Sequence, residues 1–223
     1  MRTFKYIRYF LYLASNWNIG IAWHIIRNEI RGEKKYGINT TGADELKKLE
    51  DKGIDISHAT IYMPASYDLL ETVFGELNRF NLSHFLDIGC GKGRVMCVAA
   101  SNGFTKVTGI DFSKEFCNEA VHNLEIIKKN IPSLSYKVVN NDAFYYEIPD
   151  DVDCIFLFNP FDEMVLGAVI ENIQQSLDEF PRQIYVVYLN PIFKKEFLSN
   201  GYKEIFHKKK IRYLEASILK KER

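Results

Sequence analysis

The sequence has few cysteines, no long apolar run and no excess of either charge, and each shortage closes off a class of protein. Cys90, Cys97, Cys117 and Cys154 form no C-x-x-C pair and stand at no zinc-ligand spacing from a histidine, so neither a disulfide scaffold nor a metal site is expected. Three of them fall in apolar segments, where a free thiol behaves as a small buried hydrophobe. Reduced thiols point to the cytoplasm. Lys+Arg and Asp+Glu stand at 29 each, which supplies no overall field for DNA or RNA, and no nucleic-acid partner is expected. His24, His58, His84, His122 and His207 are scattered, with no acid–base partner readable from spacing. None is a catalytic candidate.

The amino terminus comes closest to a long apolar run. Residues 4–26 are rich in Tyr, Phe, Trp, Leu and Ile, but Lys5 and Arg8 interrupt the start and Ser15, Asn16, Asn18, Gly20 and His24 the middle. The roughly 18–20 apolar residues of a spanning helix are not reached, and no small-residue cleavage site follows. The pattern predicts two amphipathic helices, about 3–14 and 19–31, whose apolar faces either pack on the main domain or lie on a membrane surface. Packing is the commoner fate of such faces. A cytoplasmic protein with membrane-surface contact through these helices is the alternative localisation.

What remains is an ordinary globular balance, 47% hydrophobic and 26% charged over 223 residues, enough for one sizeable domain and an appendage. A polar, turn-rich stretch over 31–42 reads as a surface connection, dividing a helical extension (1–42) from the main domain (43–223). A charged helix is expected over 43–51 and an amphipathic one over 66–78. From Ser83 onward short apolar runs alternate with helical segments, the signature of a parallel sheet covered on both faces. Strands are expected at 84–88, 106–110, 135–139, 154–158 and 183–189, with helices at 94–102, 113–129, 163–179 and 192–198. Two further runs, 202–207 and 212–219, flank Lys208-Lys209-Lys210 and read as an antiparallel hairpin with a solvated tip. The fold class is therefore α/β, a doubly wound, mostly parallel seven-stranded sheet with a C-terminal antiparallel hairpin and an N-terminal helical extension.

The segment Asp87-Ile88-Gly89-Cys90-Gly91-Lys92-Gly93 lies where the first strand ends and the next helix begins. Glycines let such a loop turn tightly and let a ligand approach the backbone, and the helix N-terminus offers free N–H groups. The dinucleotide fingerprint G-x-G-x-x-G would need glycine at 94, where Arg94 stands, and no G-K-[ST] follows for a P-loop. Asp87 would repel a pyrophosphate. It suits a ligand that carries its own cation, such as an amino-acid ammonium and a sulfonium. Asp111 follows 24 positions later at the second strand end, placed to accept from ribose hydroxyls. Phe112 would cover an adenine face, and Asp142, beside Ala143, would accept from the adenine amino group. Asp111 or Asp142 alone could equally be a helix cap.

Residues 83–189 resemble the class I, seven-strand S-adenosylmethionine-dependent methyltransferase superfamily. The resemblance implies that fold, that cofactor and one-step methyl transfer. It assigns Asp87, Gly89 and Gly91 to the methionine part, Asp111 to the ribose and Asp142 to the adenine; Tyr62, Cys90, Phe112, Ala143 and Asn159 are further candidate cofactor contacts.

After the fourth strand, Asn159-Pro160-Phe161-Asp162 is similar to the Asn-Pro-Pro-Tyr/Phe of amino-group methyltransferases, one proline short. An amide oxygen and a backbone carbonyl there would accept from an incoming amine and aim its lone pair, and an aromatic ring would attract developing positive charge. A plain strand-ending turn is the structural alternative. Upstream, Pro64-x-x-Tyr67, with Tyr62, resembles the loop that closes over the cofactor in the non-SET histone lysine methyltransferases, without its flanking acidic and glycine residues. Tyr67 is a candidate for the catalytic site and Tyr62 for a cofactor contact, with packed aromatics as the alternative for either. The acceptor is expected to be an amine of a protein side chain or small molecule. Transfer to oxygen and a non-catalytic membrane-surface adaptor are the competing readings, and a nicotinamide oxidoreductase is excluded by Arg94.

Overall fold

The computed structural model describes residues 2–16, 18–41, 64–158, 163–210 and 214–222. The helix expected over 43–51, Tyr62 and Asn159-Pro160-Phe161 lie outside them.

Seven strands form one sheet in the order β3-β2-β1-β4-β5-β7-β6. They are β1 (His84–Ile88), β2 (Lys106–Asp111), β3 (Ser135–Asn140), β4 (Cys154–Phe158), β5 (Ile184–Leu189), β6 (Lys203–Lys209) and β7 (Glu215–Lys221). The first five are parallel, and β7 runs antiparallel between β5 and β6. Chain order runs outward from β1 to β3 on one side and from β4 on the other. The crevice at the carboxyl ends of β1 and β4 is therefore the topological switch point, where open α/β sheets bind ligands.

Successive strand residues face opposite layers, as a pleated strand requires. Phe85, Val107, Cys154, Phe156 and Val187 enter one core layer. Leu86, Ile110, Ile155, Leu157 and Val186 enter the other. Because both faces are covered, β1 and β5 are buried throughout, which is why β5 reads as a continuous apolar run instead of an alternating one.

The helices are α1 (Arg2–Asn16), α2 (Ile19–Tyr36), α3 (Tyr67–Leu77), α4 (Arg94–Ser101), α5 (Lys114–Asn130), α6 (Glu163–Glu179) and α7 (Lys194–Ser199), with a short 3-10 turn at Ala143–Tyr145. Asn18 caps α2 by accepting from Ile21 N–H at 2.8 Å, and Ser113 caps α5 from Phe116 N–H.

Two expectations need correction. Helix α2 continues five residues past 31, through Gly32, and stops at Gly37 with φ of 72°. Gly32 is no breaker here: it lies against the Tyr67 ring, where a Cβ would overlap it. The expected hairpin tip is also displaced along the chain, because Lys208 and Lys209 belong to β6 and pair with Ala216 and Glu215.

Candidate active site

The sheet brings Asp87, Asp111 and Asp142 to one rim, at or just past the ends of the neighbouring strands β1, β2 and β3. Between β1 and α4, the chain turns on three glycines in the left-handed region: Gly89 (φ 80°), Gly91 (φ 50°) and Gly93 (φ 74°). Side chains adopt that conformation only at a cost. The loop folds across β2. Gly89 and Cys90 N–H both donate to the Ile110 carbonyl at 2.9 Å, and Gly91 N–H donates to Asp111 Oδ2 at 2.8 Å.

The three acids sit in different environments. Asp87 is 1% exposed, and its Oδ2 is the one buried side-chain oxygen or nitrogen without a hydrogen-bond partner among the described residues. Burial, then the neighbouring Asp111 charge, holds its pKa well above the usual carboxylate range. Asp111 is buried too, and its second oxygen accepts from Ser113 N–H at 2.8 Å. Burial raises it to about 6 against the pull of its two N–H donors. Asp142 is exposed and closes the 3-10 turn, accepting from Phe144 N–H at 2.9 Å. Its capping role, raised above as an alternative, is real for one oxygen. Phe112 is 38% exposed beside Asp111, whereas Ala143 is buried in the turn.

A family described as "methyltransferase domain" matches residues 85–179, the stretch from β1 through α6. This stretch, 95 of the 223 residues, is a match to a methyltransferase domain. A search of curated proteins returns no match to the chain. Among solved structures, the chain is similar to a candidate methylase from Haemophilus influenzae (22% identity, 72% of this chain, 92% of that one, TM-score 0.52). It is also similar to a SAM-dependent methyltransferase from Thiobacillus denitrificans in complex with S-adenosylhomocysteine (21%, 66% and 68%, TM-score 0.51). The ribosomal protein L11 methylase of Lactobacillus delbrueckii subsp. bulgaricus is similar at 14% identity, 70% and 78% coverage and TM-score 0.52. At these identities the shared property is the fold.

Within the methyltransferase fold, two of the expected contact residues have partners inside the protein. Cys90 spends its N–H on Ile110, its carbonyl on Gly93 N–H and its thiol toward the Gly91 carbonyl. Its part is to shape the loop. Tyr67 was a catalytic candidate, yet it is wholly buried. Its ring stacks on Tyr36 at 5.6 Å, the Arg94 guanidinium lies 4.2 Å from its centroid, and its hydroxyl meets Thr40 Oγ1 at 3.2 Å. Burial pushes the phenol up to about 12. The packed-aromatic reading holds for Tyr67.

Arg94 is the residue whose role sequence reasoning missed. At the first position of α4 it is 3% exposed and binds Glu29 of α2 with two nitrogens, at 2.7 and 2.6 Å. It also donates to Thr40 Oγ1 at 2.7 Å and to the Ala65 carbonyl at 2.8 Å. Glu33, one turn beyond Glu29, accepts from Thr40 and Thr41 N–H at 2.8 and 2.9 Å. Burial works against its charge, but the Thr41 and Tyr6 hydroxyls and Thr40 N–H hold its pKa below the usual value. The fold thus ties its N-terminal helices to the helix that leaves the glycine loop. One signal was available: Glu29 and Glu33, one turn apart, are the sole acids among the first 36 residues.

Proposed function

We propose that the methyltransferase transfers methyl to an amine nitrogen, on a protein side chain or a small molecule. The observation that carries the donor half of this reading is the orphaned Asp87 Oδ2. A buried carboxylate beside a second acid is costly unless a cation arrives, and the amino-acid ammonium of S-adenosylmethionine is such a cation. In this reading Asp111, with lone pairs beyond those used by Gly91 and Ser113, accepts from the ribose hydroxyls. Phe112 covers the adenine, Asp142 takes its amino group, and Gly89 and Gly91 keep the loop close to the methionine part. S-adenosylmethionine, when bound, supplies an electrophilic methyl group on a sulfonium.

The acceptor half rests on Asn159-Pro160-Phe161, which follows directly on β4. β4 pairs with β1, Ile88 opposite Leu157, so its carboxyl end neighbours the end of β1 that leads into the glycine loop. An Asn159 side-chain oxygen and a backbone carbonyl accept N–H bonds from the amine and turn its lone pair toward the methyl group. A neutral amine needs no protein base to attack, and Phe161 attracts the charge that develops.

The test is to incubate the purified chain with methyl-labelled S-adenosylmethionine and a lysate of its own cells, then follow the label. Base-stable label recovered as methylamines, and lost with Asn159→Ala, is expected. Base-labile label, as from a methyl ester, or full turnover by Asn159→Ala, would refute nitrogen as the target.

A further inference from the structure

Helices α1 and α2 pack on each other through Tyr9, Leu13, Ala22 and Ile26. Each then presents a second apolar stripe that this packing does not use. On α1 it is Phe4, Ile7 and Leu11, spaced by three and four residues. On α2 it is Ile19, Trp23 and Ile30, spaced by four and seven. These are helical repeats that keep side chains on one face. Phe4 is 73% exposed, Ile19 71%, Trp23 65% and Leu11 61%. Large apolar side chains grouped in this way mark an interaction surface.

The charge around the stripes says what kind of surface they meet. The first 36 residues hold seven Lys and Arg against two acids, in a chain whose total charge is zero. Both acids, Glu29 and Glu33, are buried in the clamp with Arg94, Thr40 and Thr41. Among the described residues of α1 and α2, every exposed Lys, Arg, Asp or Glu is therefore a cation: Lys5, Arg8, Arg27, Arg31, Lys34 and Lys35. Arg31 and Lys35 hold Glu71 of α3, at 2.9 and 2.8 Å. Arg27 and Lys34 each lie one turn on from a stripe residue, Trp23 and Ile30. No helix among the described residues is long and apolar enough to cross a membrane. Bulky aliphatic side chains, an exposed Trp and flanking cations with no exposed acid are what a helix needs to lie in the plane of an anionic lipid surface. A nucleic acid would use the cations and leave the aliphatic stripes unsatisfied.

We infer that α1 and α2 form an interfacial module that docks the methyltransferase on membranes bearing anionic headgroups. The apolar stripes enter the headgroup boundary while Lys5, Arg27 and Lys34 meet phosphates. This inference stands apart from the identity of the methyl acceptor.

The experiment is co-sedimentation of the full chain with vesicles of phosphatidylcholine alone or with about 30% phosphatidylglycerol. Pelleting with the anionic vesicles, at least about tenfold weaker on neutral ones and largely lost in about 0.5 M NaCl, is expected. The doubly substituted L11S/W23S protein and the R27E/K34E protein should each lose about tenfold or more of that binding. Their unchanged melting temperature and S-adenosylhomocysteine binding would show that the fold survives. Four results would overturn the inference. The wild type stays in solution with both vesicles, it binds both equally, or either variant binds like wild type. The fourth is a concentration-dependent dimer that L11S/W23S abolishes, without vesicle binding, which would make a second copy the occupant.

Discussion

Replacing Asp87 with Asn separates what the site costs the fold from what it does for the ligand. Among the described residues Asp87 Oδ2 has no hydrogen-bond partner, and burying its charge beside Asp111 works against the folded state by about 1–3 kcal/mol. The amide keeps the shape and removes both the charge and its repulsion with Asp111. At roughly 2–4 °C per kcal/mol for a chain of this size, the free D87N protein should melt about 2–12 °C higher than wild type at pH 7.5. The sign with pH follows from the raised pKa. An acid whose folded value exceeds its unfolded one favours folding at low pH, and that contribution is lost as pH rises through the folded value. The advantage of D87N should therefore shrink as pH falls toward 5. Ligand binding moves the other way. The variant loses a charge-assisted bond to the ammonium, about 1.5–3 kcal/mol, so S-adenosylhomocysteine should bind roughly 10- to 150-fold more weakly. Differential scanning fluorimetry and titration calorimetry on the two proteins read both effects. A variant that melts lower would mean the carboxylate was already satisfied in the free protein. One that binds with wild-type affinity would mean the ammonium sits elsewhere, and either outcome refutes the reasoning.

Two further outcomes test the structure away from Asp87. Glu29→Gln breaks a buried, bidentate ion pair from one side and should cost about 3–5 kcal/mol, read as a melting-temperature drop of roughly 6–20 °C; replacing Glu29 and Arg94 together with Met should recover part of it. Asp111, raised to about 6, gains a proton below that pH, and the protonated carboxyl is the poorer acceptor for the ribose hydroxyls. Binding of S-adenosylhomocysteine near pH 6 should release protons, and affinity should fall by up to about tenfold per pH unit below it; calorimetry in buffers of different ionisation heat measures this, and zero proton exchange would contradict it.

How much of this was readable from the sequence depended on whether a residue's partners were close in the chain. Strands β1 and β4 have their expected bounds, and β2, β3 and β5 differ from expectation by one residue; a buried parallel strand such as β4 or β5 writes its limits in composition. Asp87, Asp111 and the glycines were legible because a strand-end loop is a local motif. Tyr67 was not, since its environment comes from Gly32, Tyr36, Thr40 and Arg94, up to 35 positions away. The partners of Cys90 were not legible, for the opposite reason. Its place in the motif was plain, but its hydrogen bonds to Ile110 and Gly93 depend on how the loop lies against β2.

Arg94 shows how one substitution in a motif can carry structural meaning. In the dinucleotide fingerprint the third glycine permits close helix–strand packing. Here close packing is instead evident at Gly93, one residue earlier: a Cβ there would come within 3.0 Å of the Ala120 Cβ on α5, with φ at 74°. With the backbone approach made at 93, position 94 is released to carry a long side chain. That side chain points away from the ligand rim and reaches Glu29, Thr40 and Ala65. The helix whose N-terminus faces the glycine loop is therefore held from behind by the N-terminal helices. A buried guanidinium without its carboxylate is far costlier than no charge at all, so the proposed membrane-facing helix α2 and the cofactor-loop helix α4 keep their packing together or lose it together. The same arginine that departs from the dinucleotide fingerprint thereby joins helix α2 to the glycine loop.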